Sequence, residues 1–88
     1  MQTVDLIRER LNNAFNPAQL DIVDESHQHA GHAGAAGGGG HFAVTIVSEK
    51  FRDHSTLERH RMVYLAVDDL MPAEIHALSI KAYSPEEQ

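Results

Sequence analysis

The chain has 88 residues, of which 42% are hydrophobic, which suits one small domain with a modest core and argues against a deep catalytic cleft. It contains no cysteine, which excludes disulfides, thiolate nucleophiles and metal sites built on its own sulfur. The formal net charge of -6 disfavours non-specific attraction to nucleic acid phosphates. No apolar run approaches the roughly 20 residues of a membrane span, and the N-terminus lacks a signal-peptide pattern, so a cytoplasmic protein without membrane contact is expected.

The N-terminal part of the chain predicts a helix followed by a short strand. Apolar residues recur at helical spacing up to Phe15, two positions before a proline, so the first helix is expected at about residues 3–15. Leu20 and Ile22 then alternate with other residues before a polar stretch, which indicates a short strand that ends in a turn.

The strongest strand signal is the stretch 41–48, with the sequence HFAVTIVS. Its β-branched residues predict a central strand that is buried on both faces. The segment before it, residues 27–40, holds all six glycines of the chain. Because ordering glycine is entropically costly, this loop is expected to be flexible.

A capping-box pattern, Ser55 followed by Glu58, predicts the start of a second helix. Its expected apolar stripe, which ends before Pro72, consists of Leu57, Val63, Tyr64, Val67, Leu70 and Met71.

Residues 75–83 alternate again and predict a third strand, with His76, Leu78 and Ile80 on one face. The tail, residues 84–88, is expected to fray.

The predicted order is therefore αββαβ in one domain that spans residues 1–88. A long-loop hairpin gives an antiparallel pair, and the helical crossover permits a third strand that is parallel to one of them. The expected fold is of the α+β class, a three-stranded mixed sheet with both helices packed on one face.

Enzymatic motifs are weak in this chain. There is no Gly-x-Ser-x-Gly elbow. The four glycines at 37–40 precede a predicted strand, whereas a phosphate-binding loop precedes a helix and carries Lys-Ser or Lys-Thr. These observations favour a protein that is not an enzyme.

The loop histidines are the main candidates for metal binding. His27, His29 and His32 lie within six residues, and His41 follows at the far end of the loop. Imidazole binds zinc, nickel, copper and iron, and loop composition does not choose among them. Metal buffering by the loop and a merely solvated, histidine-rich loop are both open alternatives.

Three other histidines have different predicted roles. His76 on the third strand is, from spacing alone, more typical of a satisfied core or edge histidine than of a ligand. His60 lies on the apolar stripe of the second helix and is expected to be packed. His54 precedes that helix and is expected to be exposed.

A locally basic segment lies between residues 50 and 61, where the positive charges exceed the negative ones by two. It keeps a nucleic-acid or partner surface open as an alternative, formed by Lys50, Arg52, His54, Arg59 and Arg61.

The chain resembles the BolA family in several stretches along nearly its whole length. These are 24–27 (DESH), 41–42 (HF), 47–48 with Phe51, 57–64 (LERHRMVY) and 75–80 (IHALSI). The resemblance implies a KH-like (type II) αββαβ fold, in agreement with the order derived above. One departure follows Phe51. The chain continues with Arg52 and Asp53, where many members have Phe-x-Gly, so the turn into the second helix is expected to differ in shape.

The resemblance also implies a partner and a cofactor. Members bind a monothiol glutaredoxin and share a [2Fe-2S] cluster with it and with its glutathione. The family's ligand positions correspond to His76 and most nearly to His29, with His27, His32 and His41 as alternatives. Two imidazoles on one iron predict a Rieske-like cluster.

The resemblance implies further options. Some members are described as transcription regulators, which makes DNA a second candidate partner. A KH module clamps nucleic acid with a Gly-x-x-Gly loop, which is missing at the predicted strand-to-helix junction. Self-association into a homodimer is another option.

Overall fold

The computed structural model describes residues 2–26, 40–71 and 73–87. Within these ranges the elements are α1 (Thr3–Phe15), β1 (Gln19–Asp24), β2 (Gly40–Val47), α2 (Thr56–Ala66) and β3 (Ile75–Tyr83). Short 3-10 turns occupy Glu49–Phe51, Asp68–Leu70 and Pro85–Glu87. The predicted αββαβ order and α+β class are confirmed. None of the helices in these ranges is long and apolar enough to cross a membrane.

The sheet is mixed, as predicted, in the order β1-β2-β3. β1 pairs with β2 in antiparallel fashion, and β2 pairs with β3 in parallel. β2 is the central strand, as predicted, but its expected burial on both faces is confirmed only at its end, where Val47 is 2% exposed. Phe42, Val44 and Ile46 are buried, whereas Ala43 and Thr45 are half-buried because the helices cover only one face.

One apolar cluster joins the helices to the covered face of the sheet. α1 contributes three buried residues at helical spacing, Ile7, Leu11 and Phe15. Phe51 follows β2 and precedes α2 in the sequence, and its side chain is fully buried. The centroid of its ring lies 4.8 Å from that of Phe15.

The capping box of α2 is confirmed. The Ser55 hydroxyl accepts a hydrogen bond from the Glu58 amide at 3.1 Å, and the Glu58 carboxylate accepts one from the Ser55 amide at 2.8 Å. The predicted stripe is confirmed at Val63, Val67 and Leu70, which are buried, and is wrong at Leu57 and Tyr64, which are 60% and 38% exposed. Arg59 faces inward in place of Leu57, which is about 200° from it around the helix.

A bulge in β3 corrects the predicted position of His76. Gly40 pairs with Ile75, but the next residue of β2, His41, pairs with Ala77, so β3 contains one additional residue. An extra residue reverses the alternation of side chains. As a result, Ile75 lies on the buried face together with Leu78. His76, which was predicted to share that face, is exposed.

The expectation of a frayed tail is not met for residues 84–87. Ser84 is only 1% exposed, and its carbonyl accepts a hydrogen bond from the Glu87 amide at 3.0 Å. An ion pair between Glu87 and Arg59 of α2 ties this segment down.

The turn before α2 has the left-handed conformation that glycine favours. Asp53 has φ of 66°, a value that aspartate tolerates better than most residues. Aspartate at this position is therefore compatible with a left-handed turn.

Candidate functional site

The β3 bulge places two histidines side by side. The rings of His41 and His76 have centroids 5.3 Å apart and planes inclined at 47°. His41 is half-buried, whereas His76 is exposed. The pair lies at the end of the sheet where β2 and β3 both begin.

Backbone contacts hold His41 in place. Its amide donates to the Ser26 hydroxyl at 3.0 Å, and its carbonyl accepts from the Glu25 amide at 2.8 Å. The neighbouring Gly40 amide donates to the Glu74 carbonyl at 3.1 Å. The strand start is thus anchored to the chain just after β1 on one side and to the chain just before β3 on the other.

Gly40 belongs to β2 and not to the loop, which was expected to extend through it. A Cβ atom at this position would lie 2.6 Å from the Phe42 ring and 2.7 Å from the Ser26 hydroxyl oxygen. No ordinary side-chain carbon approaches other atoms so closely. Any larger residue here would therefore force the Phe42 ring or the Ser26 side chain to shift.

The separation of the two imidazoles fits a shared metal. A metal–imidazole bond is about 2.0–2.1 Å long, so two rings on one tetrahedral metal have centroids about 5 Å apart. The observed distance between His41 and His76 is 5.3 Å. The pair therefore has a spacing suitable for binding one metal atom.

Two imidazoles do not complete a metal site. Within residues 2–26, 40–71 and 73–87, no group of three or more His, Cys, Asp or Glu side chains is placed to hold a metal ion. His27, His29 and His32 lie outside the described residues. Further ligands to a metal at this pair must come from those residues or from another molecule.

Arg59 does not lie on an exposed basic surface. It is 9% exposed, and its guanidinium donates to the His54 carbonyl at 2.9 Å and the Ala82 carbonyl at 3.0 Å. The remaining contacts are two hydrogen bonds to the Glu87 carboxylate. Hydrogen bonds from Arg59, and then from the Ser84 amide, lower the pKa of Glu87 to about 2.

Carboxylates also neutralise Arg52. Its guanidinium binds Glu49 at 2.6 Å and Glu86 at 2.6 Å, and the Glu49 contact is the main cause of its raised pKa. Lys50, His54 and Arg61 are exposed. The His54 Nδ1 atom lies 3.6 Å from the Glu58 carboxylate. Of the five residues predicted to form one basic surface, Arg59 is buried and Arg52 and His54 lie beside carboxylates, whereas Lys50 and Arg61 are exposed.

Sequence reasoning missed the acidic partners in the C-terminal turn. Glu86 and Glu87 were assigned to a frayed tail, and their adjacent carboxylates were the only available signal. His60 is half-buried, and His54 is exposed as expected.

Comparison with known proteins identifies the family of this chain. A family model described as "BolA-like protein" matches residues 11–87. The chain belongs to the BolA-like protein family. This family assignment confirms the resemblance found in the sequence and indicates no enzymatic family.

Curated relatives of this BolA-like protein differ in length. It is 37% identical over 87 residues to "DNA-binding transcriptional regulator BolA" of Escherichia coli, covering 99% of this chain and 80% of that protein. It is 42% identical over 86 residues to "SufE-like protein 1, chloroplastic/mitochondrial" of Arabidopsis thaliana, covering 92% of this chain. The chain spans only 23% of the SufE-like protein and 52% of "Protein BOLA1, chloroplastic".

Solved structures share the fold of this BolA-like protein. BolA1 from Arabidopsis thaliana has a TM-score of 0.85 at 34% identity, covering 100% of this chain and 98% of that chain. BolA1 from Mus musculus has a TM-score of 0.78 at 38% identity, covering 97% and 67% respectively. The two-helix, three-stranded mixed architecture is therefore that of the family.

Proposed function

We propose that this BolA-like protein is a non-enzymatic adaptor that binds a monothiol glutaredoxin and shares a [2Fe-2S] cluster with it as cargo. The observation that carries the proposal is the pairing of His41 and His76, whose ring centroids are 5.3 Å apart. Exposure of His76 leaves this end of the sheet open to a partner. The incomplete ligand set within the described residues suits a cluster held between two proteins.

His76 is the fixed ligand in this proposal, and His41 is the second. The sequence resemblance favours His29 as the second ligand, with His27 and His32 as alternatives. His41 has the advantage that its backbone amide and carbonyl are both hydrogen-bonded, to Ser26 and Glu25, at the mouth of the site. A ligand on an anchored strand is already positioned before the cluster arrives.

The shared cluster would have mixed ligands. Glutaredoxin and its glutathione supply thiolates, while the cysteine-free chain supplies neutral imidazoles. Replacing two thiolates by two imidazoles on one iron removes negative charge and raises the reduction potential, as in Rieske centres. The proposed adaptor therefore also sets the potential of its cargo.

The test is anaerobic reconstitution of the pair with a monothiol glutaredoxin and glutathione, followed by visible absorption and circular dichroism spectra. His76→Ala should abolish the spectrum of the mixed cluster. His54→Ala is the matched control, because His54 is also exposed but lies beside Glu58. An unchanged cluster spectrum in His76→Ala would overturn the ligand assignment.

The second ligand needs its own comparison. His41→Ala should change the cluster spectrum and lower its reduction potential, while His27→Ala, His29→Ala and His32→Ala should leave both unchanged. If His29→Ala alone reproduces the His76→Ala result, the loop ligand replaces His41 in the site.

A nucleic-acid-binding regulator is the second candidate function. It is favoured by the similarity to "DNA-binding transcriptional regulator BolA" of Escherichia coli and by the exposure of Lys50 and Arg61. The affinity for duplex DNA should fall as the salt concentration rises. The fall should be less steep in the double variant Lys50→Ala, Arg61→Ala, because its binding releases fewer counterions. Absence of binding at low salt removes this candidate without affecting the adaptor proposal.

A further inference from the structure

We propose that the C-terminal turn Pro85–Glu87 is an intramolecular mask. The carboxylates of Glu86 and Glu87 bind Arg52 and Arg59, and these two arginines bind a nucleic acid backbone when the turn moves away. The inference rests on the second candidate function and adds its regulation. It concerns the side of the molecule formed by α2 and the end of β3.

Arg59 is arranged to bind an anion even without the mask. Its Nε and one terminal nitrogen are held by the carbonyls of His54 and Ala82. These bonds fix the plane of the guanidinium, and its remaining donors point to the two carboxylate oxygens of Glu87. An arginine fork accepts a phosphate in the same bidentate manner as a carboxylate.

Arg52 has a parallel arrangement at the surface. One terminal nitrogen binds Glu86, while Nε and the other terminal nitrogen bind Glu49. Arg52 and Arg59 therefore bind two consecutive residues of one short turn, Glu86 and Glu87. Removal of the turn would free donors on both arginines together.

The mask is small and accessible. The side chains of Glu86 and Glu87 are 49% and 42% exposed. The turn has three residues, and one backbone hydrogen bond, from the Glu87 amide to the Ser84 carbonyl, closes it. The Arg52–Glu86 pair is exposed on both sides and contributes little net stability, so a competing polyanion can displace it first and then reach the more buried Arg59.

The mask also reverses the sign of the local charge. With the turn in place, five carboxylates accompany four cationic side chains in this region; the carboxylates belong to Glu49, Asp53, Glu58, Glu86 and Glu87, and the cations to Lys50, Arg52, Arg59 and Arg61. Without Glu86 and Glu87, positive charge is in excess. A net positive surface is the requirement for phosphate binding in a chain of charge -6.

The experiment measures binding of a 20-base-pair DNA duplex by fluorescence anisotropy from 50 to 200 mM salt. Glu86→Gln with Glu87→Gln should bind about tenfold more tightly than the wild type at the lowest salt, with a salt slope steeper by about two. Asp21→Asn with Asp68→Asn is the matched control, since it changes the net charge equally at exposed positions elsewhere.

A single variant guards against loss of the fold. Glu86→Gln leaves Arg59 and Glu87 intact, and its salt slope should be steeper by about one. Adding Arg52→Ala to this variant should cancel the gain.

Three results would overturn the mask. The first is equal affinity of the Glu86→Gln, Glu87→Gln variant and the charge control, which leaves the nucleic-acid candidate standing. The second is absence of DNA binding by every variant, which removes both. The third is release of the duplex by inorganic phosphate at a concentration equal to that of the duplex. That result would mean that the arginines form a site for a small anion.

Discussion

At the scale of single residues, Gly40 determines whether His41 can occupy its position. Gly40→Ala would drive a methyl group against the Phe42 ring, 2.6 Å away, and against the hydroxyl that anchors His41. Overpacking of this kind costs about 1–3 kcal/mol. We expect a lower free energy of unfolding by urea titration, together with altered His41 and His76 ring resonances in NMR spectra.

Ser26→Ala separates the two effects of that substitution. It removes the hydroxyl that accepts from the His41 amide but adds no bulk. It should therefore disturb His41 with a smaller loss of stability. Wild-type stability in Gly40→Ala would show that the backbone moves freely and that the glycine is not required.

At the scale of elements, the C-terminal turn should become unstable in acid. The pKa of Glu87 falls from 4.5 to about 2 in the folded protein, chiefly because Arg59 donates hydrogen bonds to it. Since the folded-state pKa is lowered, the stabilisation is fully present above pH 4.5 and is lost as pH falls towards 2. The thermal midpoint of the wild type should exceed that of Glu87→Gln, and the difference should shrink over this range.

The control for this titration is Glu86→Gln, because Glu86 lies in the same turn but contacts the exposed Arg52. Its difference from wild type should change less between these pH values. A wild-type advantage over Glu87→Gln that is constant down to pH 2 would contradict the proposed ion pair.

Element boundaries were predictable where the signal is local. The helical spacing of α1, the Ser55 cap and the span of β3 depend on near neighbours, and all three predictions are confirmed. The orientation of His76 was not predictable, because alternation assumes a regular strand and the bulge arises from pairing with β2.

The candidate site was only partly predictable for a similar reason. Histidines as the ligand class follow from the lack of cysteine, whereas the approach of His41 to His76 depends on strand pairing between distant segments. The burial of Arg59 also depends on a distant partner, Glu87. A charge count along the chain counts such an arginine as part of a basic surface.

At the scale of the whole molecule, one aromatic pair supports the single core. Phe51 is fully buried and its ring contacts that of Phe15 at 4.8 Å. Phe51→Ala should cost about 3–5 kcal/mol, which is a large part of the total stability of a domain this small. Circular dichroism during urea titration should show a substantial unfolded population without denaturant or a greatly lowered midpoint.

Leu65→Ala is the matched control for that substitution, because Leu65 is 77% exposed on α2. Its effect should stay within about 0.5 kcal/mol. Comparable losses from Leu65→Ala and Phe51→Ala would mean that the outer face of α2 is covered in solution.

The bulge in β3 also bears on how the chain avoids misfolding. β2 and β3 are joined across a long crossover, and parallel pairings of this kind form late and are prone to slip. A slip of one residue at the start of β3 would put the imidazole of His76 into the core and expose Ile75, now fully buried. The polar side chain proposed to hold a metal thus penalises the wrong alignment, so the same residue helps the chain find its native strand register.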